Sequence, residues 1–236
     1  MPGVLYLIPS PIADSELEFT IPQEIKNIIN TIDYYIVENV RTARRYLSRL
    51  KIEKSIDELH FFTLNKHTRY EEIPAFLQPI KDNHNIGLIS EAGVPCVADP
   101  GGQIVKIAHS KNIKTIPLVG PSSIILALMA SGLNGQNFSF VGYLPINKNQ
   151  KIQAIKQLEK RSMLENQTQI LIETPYRNNH MAEDLVKTLS TDTLLCIASE
   201  ITSEKEFIKT KTIKEWKKNV PDLNKKPTIF LLHKYK

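Results

Sequence analysis

Ile86-Gly87-Leu88-Ile89-Ser90-Glu91-Ala92-Gly93-Val94-Pro95 runs on through Asp99-Pro100-Gly101-Gly102 to a second apolar run, Thr115–Val119, and then Gly120-Pro121-Ser122-Ser123. A short Ile/Leu run, a Gly/Pro/Ser turn and a helical stretch at Gly102–Ser110 are followed by another strand, another turn and the apolar stretch Ser122–Ala130. Strand and helix in alternation, with each turn following a strand, point to parallel β pairing in an α/β protein. Eight of the nine glycines lie between Gly87 and Gly142. Glycine supplies positive φ and close backbone approach, so this region is where loops are expected to wrap a ligand.

The same alternation extends in both directions. Strands are predicted at Val4–Ile8, Tyr34–Val37, Leu59–Phe62, Ile86–Ile89, Thr115–Val119, Phe138–Gly142, Gln169–Ile172, Leu194–Ala198, Glu206–Lys211 and Thr228–Leu232. Helices are predicted at Pro22–Asn30, Thr42–Leu50, Tyr70–Lys81, Gly102–Ser110, Ser122–Ala130, Asn149–Lys160, Arg177–Leu189 and Ile213–Asn219. The helix at 70–81 carries Pro74 and Pro79, which oppose it. After Ala198 the alternation lapses into two strands around one short helix, which predicts a mixed sheet in the second half.

At 236 residues the chain is long enough for one large domain or two small ones, and for a core that needs no metal or disulfide staple. Cys96 and Cys196 stand far apart with no ligand spacing, and are read as reduced thiols of a cytoplasmic protein. No stretch reaches the ~18 apolar residues of a membrane span, and Val4–Ile8 lacks the basic flank of a signal peptide. The net charge of +5 is uneven. Residues 1–118 carry 13 Lys and Arg against 14 Asp and Glu, whereas residues 119–236 carry 17 against 11. The shift in charge marks the expected boundary between an N-terminal domain, 1–118, and a C-terminal domain, 119–236. A basic second half permits a polyanionic partner and equally describes a solvated lysine surface.

Ligands of open α/β sheets bind at the carboxyl ends of strands. Those ends read Pro9-Ser10-Pro11, Glu38-Asn39-Val40-Arg41, Ser90 to Pro95 with Asp99-Pro100-Gly101, Gly120-Pro121-Ser122-Ser123, Glu173-Thr174-Pro175-Tyr176-Arg177 and Ser199-Glu200. Polar residues, Gly and Pro collect there and point to one crevice. There is no P-loop, no Gly-x-Gly-x-x-Gly after the first strand and no Gly-x-Ser-x-Gly. The six histidines form no HExxH pair, so no metal site is expected.

In this order, Leu5–Ile12, Glu38–Arg41, Ser90–Pro95 with Asp99–Gly101, Pro117–Ser123 with Ser131-Gly132-Leu133, Gly142-Tyr143-Leu144-Pro145 and Glu173–Arg177 resemble the tetrapyrrole (corrin/porphyrin) methylase superfamily. Within it they are most similar to the 16S ribosomal RNA cytidine 2′-O-methyltransferase branch (ribosomal RNA small subunit methyltransferase I). The resemblance spans nearly the whole chain. The chain departs from the branch at Ala13-Asp14-Ser15, Asn39-Val40, Glu91, Val94 and Lys225-Lys226. It implies two α/β domains of the tetrapyrrole methylase type with a cofactor cleft between them, usually in a homodimer, and S-adenosyl-L-methionine as cofactor.

Carried over by position, the cofactor-binding residues are Pro9, Ile12, Glu91, Ala92, Gly93, Val94, Pro95, Ala98, Asp99, Gly101, Ser122, Ser123, Ile172, Glu173, Thr174, Pro227 and Thr228. Glu38, at a strand end facing the crevice, is the first candidate for taking the proton of a ribose hydroxyl, with Arg41 beside it. Arg45, Tyr176 and Arg177 are expected to bind substrate, and Arg41 and Arg177 to hold phosphate. The expected activity is methylation of a ribose 2′-hydroxyl in small-subunit ribosomal RNA, free or in the 30S subunit, by a cytoplasmic homodimer. The alternatives are a methyltransferase of the same fold acting on a tetrapyrrole or a protein residue, and a non-catalytic RNA-binding paralogue.

Overall fold

A computed structural model describes residues 2–236, which divide into two compact units, the first ending at Ser122 and the second covering 123–236. The first unit holds a five-stranded sheet built from β1 (Leu5–Ile8), β2 (Tyr34–Val37), β3 (His60–Thr63), β4 (Ile86–Ile89) and β5 (Thr115–Pro117). Its order is β3-β2-β4-β1-β5, and every neighbouring pair is parallel. Alternate residues of each strand serve different faces. Ile8, Tyr35, Val37 and Ile89 pack with α2 (Gln23–Ile29) and α3 (Val40–Arg49), through Ile25, Ile29 and Leu47. Leu5, Ile36, Ile86 and Leu88 pack on the other side with a 3-10 segment, Ile73–Asp82, and α4 (Gly102–Ser110). A short helix, α1 (Leu17–Thr20), lies between β1 and α2.

The 3-10 segment corrects the helix predicted at 70–81. Pro79 lies inside it and brings no N–H, so an α ladder through this stretch would lose a bond and meet the ring. Helix α3 starts two residues before its predicted position because the Asn39 side chain accepts from the N–H groups of Arg41 (2.9 Å) and Thr42 (3.4 Å).

β4 lies between β2 and β1, and the chain leaving β4 passes beyond β1 to reach β5. The chain leaving β2, the neighbour of β4, departs the other way, to β3 at the opposite edge. Neighbouring strands whose connections diverge in this way open a crevice at their carboxyl ends.

The second unit begins with α5 (Ser123–Ser131) and has the sheet order β6-β7-β10-β8-β9. Its strands are β6 (Phe138–Tyr143), β7 (Thr168–Ile172), β8 (Leu194–Ser199), β9 (Phe207–Thr212) and β10 (Thr228–His233). Only β6 and β7 are parallel; β10 runs antiparallel to both β7 and β8, and β9 antiparallel to β8. Helices α6 (Lys148–Glu165), α7 (Asn178–Thr188) and α8 (Ile213–Trp216) complete it. Leu171, Leu185, Ile197, Trp216 and Phe230 are fully or almost fully buried in its core. The Trp216 indole N–H donates to Leu195 O at 2.8 Å. Each large apolar side chain buried in this way contributes roughly 1.5–3 kcal/mol. No helix of the described residues is long and apolar enough to cross a membrane.

Candidate functional site

In the first unit the loops after β1, β4 and β5 meet. Ser10 N donates to Gly93 O at 3.0 Å and Gly93 N to Ser10 O at 3.1 Å, an isolated antiparallel bridge between the first two loops. The buried Ser10 hydroxyl donates to Ser90 O at 3.0 Å, and the Ser90 hydroxyl reaches Gly93 O at 3.3 Å. Gly93 has φ +75°, and a Cβ there would stand 3.0 Å from Ile12 Cγ2 and 3.1 Å from Pro121 O. At Gly120 a Cβ would stand 2.1 Å from the Pro9 Cβ. The three loops can therefore touch only where side chains are missing. Pro9, Ile12 and Gly93 are thereby brought together, with Glu91–Pro95 in the same loop. Ser122 and Ser123 stand at the start of α5, where first-turn N–H groups have no partner within the helix.

Farther along the β4 loop, Cys96 (φ 71°) and Ala98 (φ 63°) are left-handed, an uncommon state for residues with a Cβ. Asp99 holds the turn: its carboxylate accepts from Cys96 N at 2.8 Å and Gly101 N at 2.7 Å. Burial raises the Asp99 pKa above its ordinary value, against the lowering by those two N–H groups. Glu38 follows β2 directly and accepts from Glu91 N at 3.4 Å. Its pKa is raised above 4.5, first by burial and then by the negative charges of Asp99 and Glu91, while the Glu91 N–H opposes the shift. A carboxylate destabilised in this way is a better proton acceptor than an exposed one.

Arg41 and Arg45 are exposed on α3 and form no ion pair among the described residues. Arg49 is engaged: Nη2 donates to Ser15 O at 2.8 Å, and Nη1 lies 3.6 Å from Asp14 Oδ1. An open cleft of about 630 Å³ separates α3 from the β1 and β4 loops. Sequence reading did not single out Tyr46, which lines this cleft and donates its hydroxyl to Pro9 O at 2.7 Å. Its helical spacing marks it only as a core residue.

In the second unit the end of β7 lies beside the start of β10, with Ile172 opposite Ile229. Glu173 is almost fully buried; its Oε1 accepts from Thr174 N at 2.7 Å and from Arg177 Nη2 at 2.6 Å. Part of the Arg177 guanidinium is thus committed to Glu173, while its Nε is buried without a partner. Thr228 donates to the Ser199 hydroxyl at 3.1 Å, and Tyr176 is exposed. The backbone of Pro227 accepts from Glu200 N at 2.9 Å. Among the described residues no three His, Cys, Asp or Glu side chains gather as a metal site.

No protein-family profile matches the chain. It is 30% identical over 234 residues to ribosomal RNA small subunit methyltransferase I of Buchnera aphidicola subsp. Schizaphis graminum, covering 98% of this chain and 78% of the relative. The protein of the same name from Synechocystis sp. is 31% identical over 204 residues, with 86% and 69% covered. Among solved structures, the methyltransferase CobJ superimposes with a TM-score of 0.64 at 13% identity, covering 98% of this chain and 94% of CobJ. Uroporphyrin-III-C-methyltransferase from Thermus thermophilus gives 0.56 at 15%, with 99% and 93% covered. These two likenesses show the shared α/β fold. The relatives, matched over nearly the whole chain, show that this protein belongs to the ribosomal RNA small subunit methyltransferase I family and is a methyltransferase.

Proposed function

We propose that the protein transfers the methyl group of S-adenosyl-L-methionine to a ribose 2′-hydroxyl of small-subunit ribosomal RNA. The observation that carries the reading is the meeting of three strand-end loops at Gly93, left-handed and tight against Ile12 and Pro121, and at Gly120, where a Cβ would collide with Pro9. Gly93 is itself bonded to Ser10, and the close approach sets the rest of the loops, Glu91–Pro95 and Gly120–Ser122, side by side as a main-chain surface for an adenosine and an amino-acid tail. The cofactor, when bound, supplies a methyl group already activated on a sulfonium.

In the first unit the contacts assigned to it are Pro9, Ile12, Glu91–Pro95, Ala98, Asp99, Gly101 and Ser122. In the second they are Ser123, Ile172–Thr174, Pro227 and Thr228. Glu38 accepts the hydroxyl proton, and its raised pKa favours that role. Arg41, Arg45, Tyr176 and Arg177 hold the RNA, with Arg177 oriented by Glu173. Little else is asked of the protein: holding the attacking oxygen opposite the leaving sulfur can supply up to about 7–11 kcal/mol of the barrier. The same reading makes the enzyme a cytoplasmic homodimer, for which light scattering should give twice the 26.9 kDa of the chain.

The test is incubation with methyl-labelled cofactor and either naked 16S RNA or 30S particles, followed by nucleoside mass spectrometry. A 2′-O-methylated nucleoside is expected. Label on a base, or on protein, would overturn the ribose assignment. No label with RNA still retained would favour a non-catalytic RNA binder.

A further inference from the structure

The cleft beside α3 meets the proposed methyl-donor contacts at Ile12, Glu91 and Ala92, while its α3 wall lies outside them. We infer that it seats one ribonucleotide of a single RNA strand, with the base and sugar between its walls and the phosphate on Arg45. The inference rests on the RNA reading above and adds the surface that receives the strand.

Four observations carry it. The cleft's volume, about 630 Å³, is ample for a nucleotide. Its walls are mixed in the right sense: Val37, Ala43 and Ile89 are apolar, and the lining residues Ser10 and Ser90 already have hydrogen-bond partners. Helix α3 turns one face toward it, with Thr42, Arg45, Tyr46 and Arg49 at i, i+3, i+4 and i+7 and the small Ala43 beside them. On that face the polar groups divide by duty. Tyr46 is tied to Pro9 O and Arg49 to Ser15 O and Asp14, so both build the wall. Arg45 is the cleft-lining cation with no carboxylate in pairing range among the described residues.

A planar guanidinium with open donors suits one phosphate held by two hydrogen bonds. Glu91 and Asp14, also on the lining, disfavour a polyphosphate. A base inside such walls cannot stay paired, so the ligand is unpaired RNA rather than duplex. Glu91 lines the cleft and donates its N–H to Glu38, which brings the proposed proton acceptor to the cleft's edge.

The experiment measures fluorescence anisotropy of a labelled ten-nucleotide single-stranded RNA, and of the same strand in duplex, with the full chain. Calorimetry with S-adenosylhomocysteine is run on the same preparations. Wild type should prefer the single strand. Arg45→Gln should weaken that binding about tenfold and flatten the log K against log salt slope by about 0.7, the loss of one phosphate contact. Thr42→Trp, which fills the cleft, should weaken it at least as much. Both variants should keep the homocysteine affinity and the melting temperature. Unchanged RNA affinity in both, a preference for duplex, or no RNA binding by wild type would overturn the inference. Failure of wild type to bind S-adenosylhomocysteine would instead count against the methyl donor, and the RNA measurements would still judge the cleft.

Discussion

At the scale of single residues, Glu38 is the group proposed to accept the proton. Burial and two neighbouring carboxylates keep its proton on to a higher pH than 4.5. Between 4.5 and the raised value the folded chain binds more protons than the unfolded chain. Stability from this group therefore falls as pH rises through that window, while methyl transfer rises with the deprotonated fraction. Glu38→Gln should lose transfer by about 10²–10⁴-fold, abolish this acid limb of the pH–rate profile, and melt no lower than wild type at pH 7. A variant that keeps the wild-type rate would remove Glu38 from the reaction. Gly120 tests the packing of the loops. Gly120→Ala places a Cβ 2.1 Å from that of Pro9 and should cost about 1–3 kcal/mol in urea unfolding. Gly102→Ala, with open space around its new Cβ at the first residue of α4, should be neutral or stabilising by up to about 1 kcal/mol. The loops themselves were legible because Gly, Pro and Ser after an apolar run are turn chemistry. The Ser10–Gly93 bridge, the Pro9–Gly120 approach and the Arg177–Glu173 pair were not, because the first two join distant segments and the third depends on a side-chain rotamer.

At the scale of elements, each of the ten strands lies within a residue or two of its predicted place, because short runs rich in Ile, Leu, Val, Phe and Tyr, mostly bounded by turn residues, mark strands whether they pair parallel or antiparallel. α1 and the short 3-10 turns at Ile56–Glu58 and Pro175–Arg177 escaped prediction, since three or four residues are too few to display a helical period. Helix α6 runs five residues beyond its predicted end. An Arg161–Glu165 pair at 3.1 Å supports that last turn, and Asn166 closes it with φ 49°. The place of β10 between β7 and β8 could not be read from order along the chain, because that pairing is long-range and antiparallel. Two elements offer measurements. Asn39→Ala should remove the cap of α3 at about 0.5–2 kcal/mol, whereas Asn39→Asp should retain it. On β10, His233 is buried between Thr168 Oγ1 (3.1 Å) and Asn166 Oδ1 (3.2 Å), and burial depresses its pKa below 6.5. The unfolded chain then binds the extra proton first, so this group's contribution is full above 6.5 and is lost as pH falls toward the depressed value. Thermal melts of wild type between pH 7 and 5 should fall more steeply than those of His233→Gln. Equal slopes would mean that His233 is not the titrating group.

On the scale of the whole molecule, the parallel sheet of the first unit gathers its loops at strand ends, and the second half of the chain carries the positive excess. Both suit an enzyme that takes a nucleoside-bearing donor and a polyanionic acceptor. The central claim is that the loops after β1, β4 and β5 hold that donor through their main chain. Titration calorimetry of S-adenosylhomocysteine into the intact protein, beside Gly93→Asp, tests it most directly. The account predicts saturable one-site binding to wild type and none to Gly93→Asp, whose circular dichroism stays that of wild type. No heat from wild type at millimolar ligand, or an unchanged affinity in Gly93→Asp, would contradict it.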